Sequence, residues 1–424
     1  MDRRIYRNYL AILQEELIPA LGCTEPIALA YAAAKAKEIF DYVPERMEVW
    51  CSGNIIKNVK SVTVPNSGGM RGIEAAAVLG LMGGDASRGL EVLESVDEKA
   101  VERTKELLEQ DFCACFLREG VENLYILVKL TGQGHESEVE IVDKHTRVVR
   151  METDGKQIYR IQEEEQGGGQ EADRSLLNVR DILSFAEEVD FEDIREVIGR
   201  QVRMNGAISE EGLAHAYGAQ VGRTLMEVYG DNVKVRAKAR AAAGSDARMN
   251  GCPLPVVINS GSGNQGMACC LPVMEFARYL GSGEAKMYRA LAVSNLIAIH
   301  QKKYIGNLSA YCGAVSAACG AGAGITWLYG GDYAAVSRTI TNTIANVGGI
   351  VCDGAKSSCA AKIASAVDAA VMAHFLGERN RCFGPGEGIV KETVEKTIRN
   401  VGYVGKVGMK DTDVAILNLM IARD

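Results

Sequence analysis

The pattern of apolar residues changes at a charged and glycine-rich segment between Glu163 and Arg174 of the 424-residue chain. Before this segment, from Met47 to Gln162, short runs of alternating and β-branched residues predict strands with intervening helices. From Ser175 onward, almost all of the sequence has the apolar spacing of helices, interrupted by glycine-rich breaks. The sequence therefore predicts an α+β fold, in which an α/β domain with a small mixed or antiparallel sheet precedes a mostly helical C-terminal domain.

This change and an earlier one, from helical to strand patterns near Met47, place the predicted domain boundaries. We expect an N-terminal helical segment over residues 1–45, an α/β domain over 46–172 that ends in the charged linker, and a helical domain over 173–424. The first segment contains predicted helices at Tyr6–Leu21 and Ile27–Phe40. The predicted strands of the second are Met47–Trp50, Lys60–Val64, Asn123–Leu130, Glu138–Val142, Thr146–Glu152 and Gln157–Gln162.

Charge and composition exclude several classes of protein. A net charge of −8 and a pI near 5.4 argue against nucleic acid or an anionic membrane as the partner. The stretch Tyr304–Gly331 has no charged residue, but Ala, Gly, Ser and Cys dominate it, which favours a buried helix of a soluble protein over a membrane span. The N-terminus lacks the apolar core of a signal peptide, so we expect a cytoplasmic protein. Twelve cysteines in that compartment favour metal binding or thiol chemistry over disulfides.

Cys23 is the first candidate for chemistry, because it lies immediately before a predicted helix with Thr24 as its N-cap. Unpaired backbone N–H groups and the helix dipole at such a position favour a thiolate, which predicts a lowered thiol pKa. A thiolate at neutral pH would act as a general base or a nucleophile. The alternative is that Cys23 is a small buried residue in a turn.

Cys312, Cys352 and Cys359 in the C-terminal part are candidates for a metal centre. Cys352 lies in a glycine-rich loop and Cys359 in the first turn of a predicted helix, so both have the backbone N–H donors that an iron–sulfur cluster requires. Three ligands instead of four would leave one iron open for a substrate. The spacing alone does not select these three from the twelve cysteines, and Cys319 is the strongest rival ligand.

The segment Gly261–Gly266 fits the G-x-G-x-x-G pattern of dinucleotide-binding loops. No second strand follows it, and no acidic residue ends such a strand about twenty positions later, so the sequence predicts no NAD. Its backbone N–H groups and the side-chain amides of Asn259, Asn264 and Gln265 would instead bind a small carboxylate. The loop Asn66–Gly72 is a second candidate of this kind, and either loop is alternatively an ordinary tight turn.

Taken together, these motifs resemble a known family. Leu21–Ala28 (LGCTEPIA) is similar to the N-terminal signature of the L-cysteine desulfidases, which are relatives of the iron–sulfur-dependent bacterial L-serine dehydratases. The loops Ser52–Asn58, Val64–Gly69 and Asn259–Gly266 are also similar to that family, and the resemblance spans essentially the whole chain. In the serine dehydratases a serine-rich, histidine-containing loop stands where this chain has Cys23, a difference that favours a thiol substrate.

The resemblance implies a lyase that eliminates sulfide from L-cysteine, giving pyruvate, ammonia and hydrogen sulfide, with a 4Fe–4S cluster and no pyridoxal phosphate. Cys312, Cys352 and Cys359 match the family's cluster cysteines in order and spacing, and Cys23 matches its base. Polar residues of the loops would bind the amino acid, with Lys57 or Arg71 neutralising its carboxylate. This predicted substrate-binding set is Thr24, Asn54, Lys57, Asn66, Arg71, Asn259, Asn264 and Gln265. The resemblance also implies a homodimer.

Two other functions remain open at this point. The same cluster chemistry would dehydrate L-serine or act on another β-substituted amino acid, and only substrate tests distinguish these reactions. A non-catalytic iron–sulfur or thiol sensor belongs to a different class. A sensor needs no base at Cys23, so its principal activity would survive Cys23→Ala.

Overall fold

The structure, a computed structural model, describes residues 1–161, 172–306 and 308–421. Most of the predicted linker lies outside the described residues, and the predicted domain boundaries stay a prediction. Up to residue 160 the elements are α1 (Arg3–Glu16), β1 (Pro19–Leu21), α2 (Thr24–Glu38), β2 (Arg46–Cys51), α3 (Gly53–Val59), α4 (Ile73–Gly83), a 3₁₀ helix (Ala86–Glu91), α5 (Glu98–Glu109), β3 (Cys113–Leu117), β4 (Tyr125–Gly132), β5 (His135–Val142), β6 (Val148–Thr153) and β7 (Lys156–Arg160).

The remaining described chain is almost entirely helical, apart from one short strand. Its elements are a 3₁₀ helix (Arg174–Leu176), α6 (Val179–Glu188), α7 (Phe191–Ala214), α8 (Val221–Tyr229), α9 (Val233–Met249), β8 (Pro255–Val257), α10 (Gly263–Tyr279), α11 (Glu284–Ile305), α12 (Gly313–Leu328), α13 (Tyr333–Val347), α14 (Cys359–Glu378), α15 (Val394–Tyr403), a π-helical turn (Val404–Gly408) and α16 (Lys410–Ile421).

The main sheet has six strands in the order β3-β2-β4-β5-β6-β7. β2 and β3 are parallel, because α3, α4 and α5 provide the crossover between them, and the other neighbours are antiparallel. The β6–β7 hairpin turns at Asp154 and Gly155, both with positive φ, as the sequence predicts. α2 packs on the sheet together with α4, whereas α1 packs on the helical part. The predicted α+β fold with a mixed sheet is confirmed.

Two predicted elements are wrong, for local reasons. The first helix ends at Glu16 and does not reach Leu21, because Pro19 lacks an N–H and disfavours helical backbone in the residue before it. The predicted strand Lys60–Val64 is a turn that follows α3. Its valines are buried, and its pairing is limited to an isolated antiparallel bridge between Thr63 and Arg71, so no regular strand forms.

A second sheet of two strands joins distant parts of the chain. β1 pairs antiparallel with β8, with Ala20 opposite Val256. The loop that carries Cys23 leaves β1, and the glycine-rich loop Gly261–Gly266 follows β8. This short pairing therefore brings together the two loops that sequence analysis singled out.

The helical part is built around α12, which packs against α10, α11, α13 and α14. The charge-free stretch Tyr304–Gly331 is interrupted between α11 and α12, so it is not one continuous helix. Within the described chain, α14 is the one helix long and apolar enough to cross a membrane. It packs against α9, α12 and α13, and 56% of its most apolar window is buried, as in the core helix of a soluble protein.

Glycine permits close helix contacts in both halves. A Cβ at Gly80 in α4 would lie 2.3 Å from the backbone oxygen of Ala30 in α2. A Cβ at Gly320 in α12 would lie 2.2 Å from the backbone oxygen of Ser294 in α11. Real Cβ atoms do not approach backbone this closely, so each pair of helices would have to separate to accept a side chain.

We expect Gly80→Ala to destabilise the protein by about 2 kcal/mol or more, because the added methyl group meets backbone and cannot be relieved by a rotamer change. Gly206→Ala is the matched control. Gly206 is also helical, but its Cβ would meet only the end of Met274 at 3.8 Å, so we expect no loss, or a gain of about 0.5–1 kcal/mol. Urea unfolding of both variants measures the difference, and equal stabilities would contradict the packing argument.

Candidate active site

One cavity of about 100 Å³ brings Cys23 together with Cys312, Cys352 and Cys359. It lies between the start of α2, the glycine-rich loop before α10, and the loops that precede α12 and α14. The four cysteines singled out in the sequence are separated by up to 336 positions, yet their side chains line the same cavity. The fold therefore joins the predicted base and the predicted cluster ligands in one site.

Backbone pairing between two loops places Cys312 beside Cys352. Tyr311 and Val351 form an isolated antiparallel bridge. The N–H of Cys312 donates to Ile350 O at 3.1 Å, and the N–H of Cys352 donates to Ala310 O at 2.7 Å. The two thiols form a hydrogen bond that lowers the pKa of Cys352 and raises that of Cys312, and the positive charge of Lys57 also favours the Cys352 thiolate.

Cys359 is the first residue of α14, and a glycine fixes the loop that connects it to Cys352. Gly354 has φ +94°, and a Cβ there would lie 2.2 Å from Lys57 O in α3. The Cys359 thiol lies 3.8 Å from Gly354 O. Burial raises the pKa of Cys359, and the hydrogen bond from the Lys356 backbone opposes this effect.

The donor set around these three sulfurs fits an iron–sulfur cluster. Backbone groups of Ala314, Gly354 and Lys356 hydrogen-bond to Cys312, Cys352 and Cys359 respectively, as expected for sulfurs that carry negative charge. Within residues 1–161, 172–306 and 308–421, no three His, Cys, Asp or Glu side chains converge as ligands of a single metal ion. A cluster does not require such convergence, since each cysteine binds a different iron.

Cys23 itself is the N-cap of α2, and Thr24, the predicted cap, is the first helical residue. The predicted lowering of the Cys23 pKa is wrong. Burial raises it to about 12, and the charge of Arg248 opposes this shift only partly. The thiol is 1% exposed and contacts the sulfur of Met249 at 3.7 Å, so desolvation of a thiolate outweighs the effect of the helix N-terminus.

The glycine-rich loop forms the opposite wall, and each glycine of its motif has a steric reason. A Cβ at Gly261 would lie 3.1 Å from the His145 ring, one at Gly263 would lie 2.4 Å from Arg248 Nε, and one at Gly266 would lie 2.0 Å from Val257 O. The motif therefore makes room for two side chains of the cavity and for strand β8, which explains it without a dinucleotide.

Asn264 and Gln265 are the two residues of the predicted substrate-binding set that line this cavity. Asn264 Oδ1 and Gln265 Oε1 are buried without a hydrogen-bond partner among the described residues. The Gln265 amide lies against Gly313, next to Cys312. The contact is close, since a Cβ at Gly313 would lie 2.5 Å from the amide carbon of Gln265. Both amide oxygens are thus free to bind a ligand, whereas the Asn264 amide nitrogen donates to Met249 Sδ at 3.6 Å.

The other predicted substrate-binding residues lie in the wall behind the cavity or away from it. Thr24 donates to Gly261 O at 2.8 Å, and Asn259 is fully buried and bonded to Asn295, so both hold the loops in place. Lys57 is buried, ion-paired with Asp413, and lines a different cavity together with Asn54.

Asn66 and Arg71 lie on the remaining predicted loop, outside the cavity. Asn66 donates to Leu93 O at 2.9 Å, and Arg71 is exposed and donates to Thr63. The structure therefore does not bring the Asn66–Gly72 loop to the cysteines. Contact of any of these residues with substrate stays a prediction.

Four charged or titratable residues of the cavity were missed in the sequence: Glu25, His145, Arg248 and Lys302. His145 comes from the loop between β5 and β6; its Nε2 is buried without a partner, and burial lowers its pKa. Burial lowers the pKa of Lys302 to about 8, although Cys352 and Cys312 oppose this shift. Isolated charged residues form no recognisable motif. The one usable sequence signal was the position of Glu25, two residues after Cys23.

Cys319, the rival ligand, lies away from the cavity. It is fully buried in the helical core, where its thiol contacts Ile340 O at 3.7 Å. Cys269 and Cys270 are also fully buried, and Cys382 is exposed. Among the twelve cysteines, those that line the cavity are Cys23, Cys312, Cys352 and Cys359.

Comparison with known proteins gives two findings. The family described as serine dehydratase alpha chain matches residues 87–418, a part that contains Cys312, Cys352 and Cys359 but not Cys23. A UPF0597 protein of Lachnoclostridium phytofermentans is 54% identical over 98% of this chain and 100% of its own length. UPF0597 proteins of Desulfitobacterium hafniense and Finegoldia magna are 49% and 46% identical, over 99% and 98% of this chain and 97% and 100% of their own lengths.

Proposed function

Since the chain belongs to the serine dehydratase alpha chain family, we propose that it is a lyase acting on a β-substituted L-amino acid, and that its substrate is L-cysteine. The observation that carries this proposal is the shared cavity of Cys23, Cys312, Cys352 and Cys359. It supplies a candidate proton acceptor and a candidate metal centre within one small space, as an elimination reaction needs.

The proposed cofactor is a 4Fe–4S cluster held by Cys312, Cys352 and Cys359, and no pyridoxal phosphate. When bound, such a cluster supplies Lewis-acid chemistry to the departing group. Lys57 and Lys362 place positive charge near Cys352 and favour its thiolate form. Of the two, Lys57 is buried behind the loop, so we assign it to the cysteine centre and not to a substrate carboxylate.

The reaction removes one proton from Cα and breaks the bond between Cβ and the substituent. Sulfide leaves with the bonding electrons, and the resulting aminoacrylate tautomerises and is hydrolysed to pyruvate and ammonia. Cys23 is the proposed proton acceptor. Because burial raises its pKa to about 12, the thiol must lose its proton before each turnover. His145 lines the same cavity; its Nε2 has no hydrogen-bond partner among the described residues, and burial lowers its pKa.

Exclusion of water is the remaining task of the protein. Cys23 packs against Met249 and Val62, and Ala355 and Cys359 pack against the same cluster. An apolar surrounding on this side confines the proton transfer to the groups of the cavity and strengthens their electrostatic interactions.

L-Serine is the second candidate substrate, favoured by the family match. The test is pyruvate release from L-cysteine and from L-serine by protein reconstituted anaerobically with iron and sulfide, beside a preparation without iron. We expect iron-dependent pyruvate, with kcat/KM for L-cysteine higher by about 10-fold or more, because the pocket discriminates the β-substituent. A preference for L-serine would assign the chain to the dehydratases. Pyruvate from neither would contradict the proposal and favour a sensor.

A cytoplasmic location and a homodimer are part of the same proposal. Both rest on the family resemblance and on the cysteine-rich composition, which suits a reducing compartment.

A further inference from the structure

Arg248 is a buried cation at the end of α9 with no ion pair in the described structure. It is 3% exposed and lines the cavity. Its Nε donates to Gly22 O at 2.9 Å, and no carboxylate of the described residues lies within ion-pair distance of its guanidinium. The backbone contact holds Arg248 beside the Cys23 loop, and Gly263 provides the space for it. A buried charge of this kind is costly unless an anion completes the site.

Glu25 places a negative charge in the same cavity. It follows Cys23 and Thr24 at the start of α2, and its Oε2 lies 3.0 Å from the Thr24 hydroxyl oxygen. It forms no ion pair within the described chain, not even with Arg248. The fold thus keeps the Arg248 guanidinium and the Glu25 carboxylate apart in one cavity, where direct pairing would have satisfied both.

Uncharged polar groups of the cavity add to the binding potential of these two charges. The unpartnered oxygens of Asn264 and Gln265 are acceptors and match an ammonium group. Arg248 offers the planar donors that bind carboxylate in a bidentate manner. The backbone N–H groups at the start of the 17-residue helix α10 add to the positive potential near Arg248.

We propose that Arg248 binds the α-carboxylate of a zwitterionic α-amino acid and that Glu25 binds its ammonium group. This inference rests on the proposed function and defines its substrate class. It excludes hydroxy acids, esters and amines as good substrates. It also places the substrate between the Cys23 loop and the glycine-rich loop, whose N–H and amide groups surround it.

Binding of non-reacting ligands tests this inference without turnover. L-Alanine has both charged groups and no leaving group, L-alanine methyl ester lacks the carboxylate, and propionate lacks the ammonium group. By calorimetry on the full-length protein we expect each modified ligand to bind on the order of 10²-fold more weakly than L-alanine, since the ester leaves the buried Arg248 unpaired and propionate leaves the half-buried Glu25 unpaired. Equal binding of L-alanine and its methyl ester, or no binding of L-alanine, would overturn the proposal.

Two variants assign the charges. Arg248→Met is expected to remove the preference for L-alanine over its methyl ester but to keep the preference over propionate, and Glu25→Gln is expected to do the reverse. Arg240→Met is the matched control, because Arg240 lies on the same helix but is ion-paired with Glu275 outside the cavity. If Arg248→Met does not fold, Arg248→Lys and the ligand series on the unsubstituted protein still test whether Arg248 binds the carboxylate.

The outcomes separate this inference from the proposed reaction. Ligand discrimination without pyruvate from L-cysteine or L-serine would contradict the reaction and keep the charge assignment. Pyruvate release with equal binding of acid and ester would contradict the charge assignment and keep the reaction.

Discussion

Replacing Cys352 by alanine is expected to abolish both iron binding and turnover. Its thiolate is favoured by the hydrogen bond from Cys312 and by the charge of Lys57, so Cys352 is the most readily deprotonated of the three candidate ligands. Without it, the remaining two thiols cannot hold a cluster. We expect iron content after anaerobic reconstitution to fall to background and pyruvate release to fall by more than about 100-fold.

Cys319→Ala is the control for this variant, because Cys319 was the rival ligand and lies in the helical core away from the cavity. It is expected to keep its iron. Iron and sulfide analysis, together with the visible absorbance of a reconstituted cluster, measures the difference. Normal iron content in Cys352→Ala, or loss of iron in Cys319→Ala alone, would refute the ligand assignment.

Cys23→Ala is expected to separate iron binding from catalysis. The thiol lies in the cavity but is not among the proposed ligands, so the variant should retain the cluster. Loss of the proton acceptor should lower kcat by about 10²–10⁴-fold, the usual contribution of a positioned acid or base. Binding of L-alanine should change little, because Arg248 and Glu25 remain.

Three measurements on this variant distinguish the alternatives: iron content, kcat with L-cysteine, and affinity for L-alanine. Cys382→Ala, at an exposed position, controls for general effects of cysteine removal. If Cys23→Ala turned over L-cysteine at a rate near that of the unsubstituted protein, Cys23 would not be the base, and His145 would become the leading candidate.

Local patterns in the sequence predicted most of the architecture. Alternation and turn residues locate β4 to β7, and the motif around Cys23 marks the start of α2, because these signals depend on neighbouring residues alone. The strand predicted at Lys60–Val64 fails because tertiary packing buries its valines while its pairing stops at one isolated bridge, between Thr63 and Arg71. Such packing is invisible to a local pattern.

The sequence allowed the cysteines of the candidate site to be predicted, but not its charged and titratable residues. Four cysteines were selected by motif and resemblance, and the structure places all four in one cavity. Arg248 and His145 were not selected, because each is an isolated residue whose importance comes from what the fold puts beside it. The pKa of Cys23 was predicted in the wrong direction, since a helix N-terminus is readable from sequence whereas the depth of burial is not.

The pairing of β1 with β8 has a consequence for biosynthesis. The strand at Pro19–Leu21 meets its partner at Pro255–Val257, so at a ribosomal rate of roughly 5–20 residues per second it waits about 10–50 s unpaired. The cavity then still lacks Cys312, Cys352 and Cys359. A nascent chain therefore presents an open strand edge and free thiols for most of its synthesis, and the proposed cluster would be inserted only into the nearly finished protein.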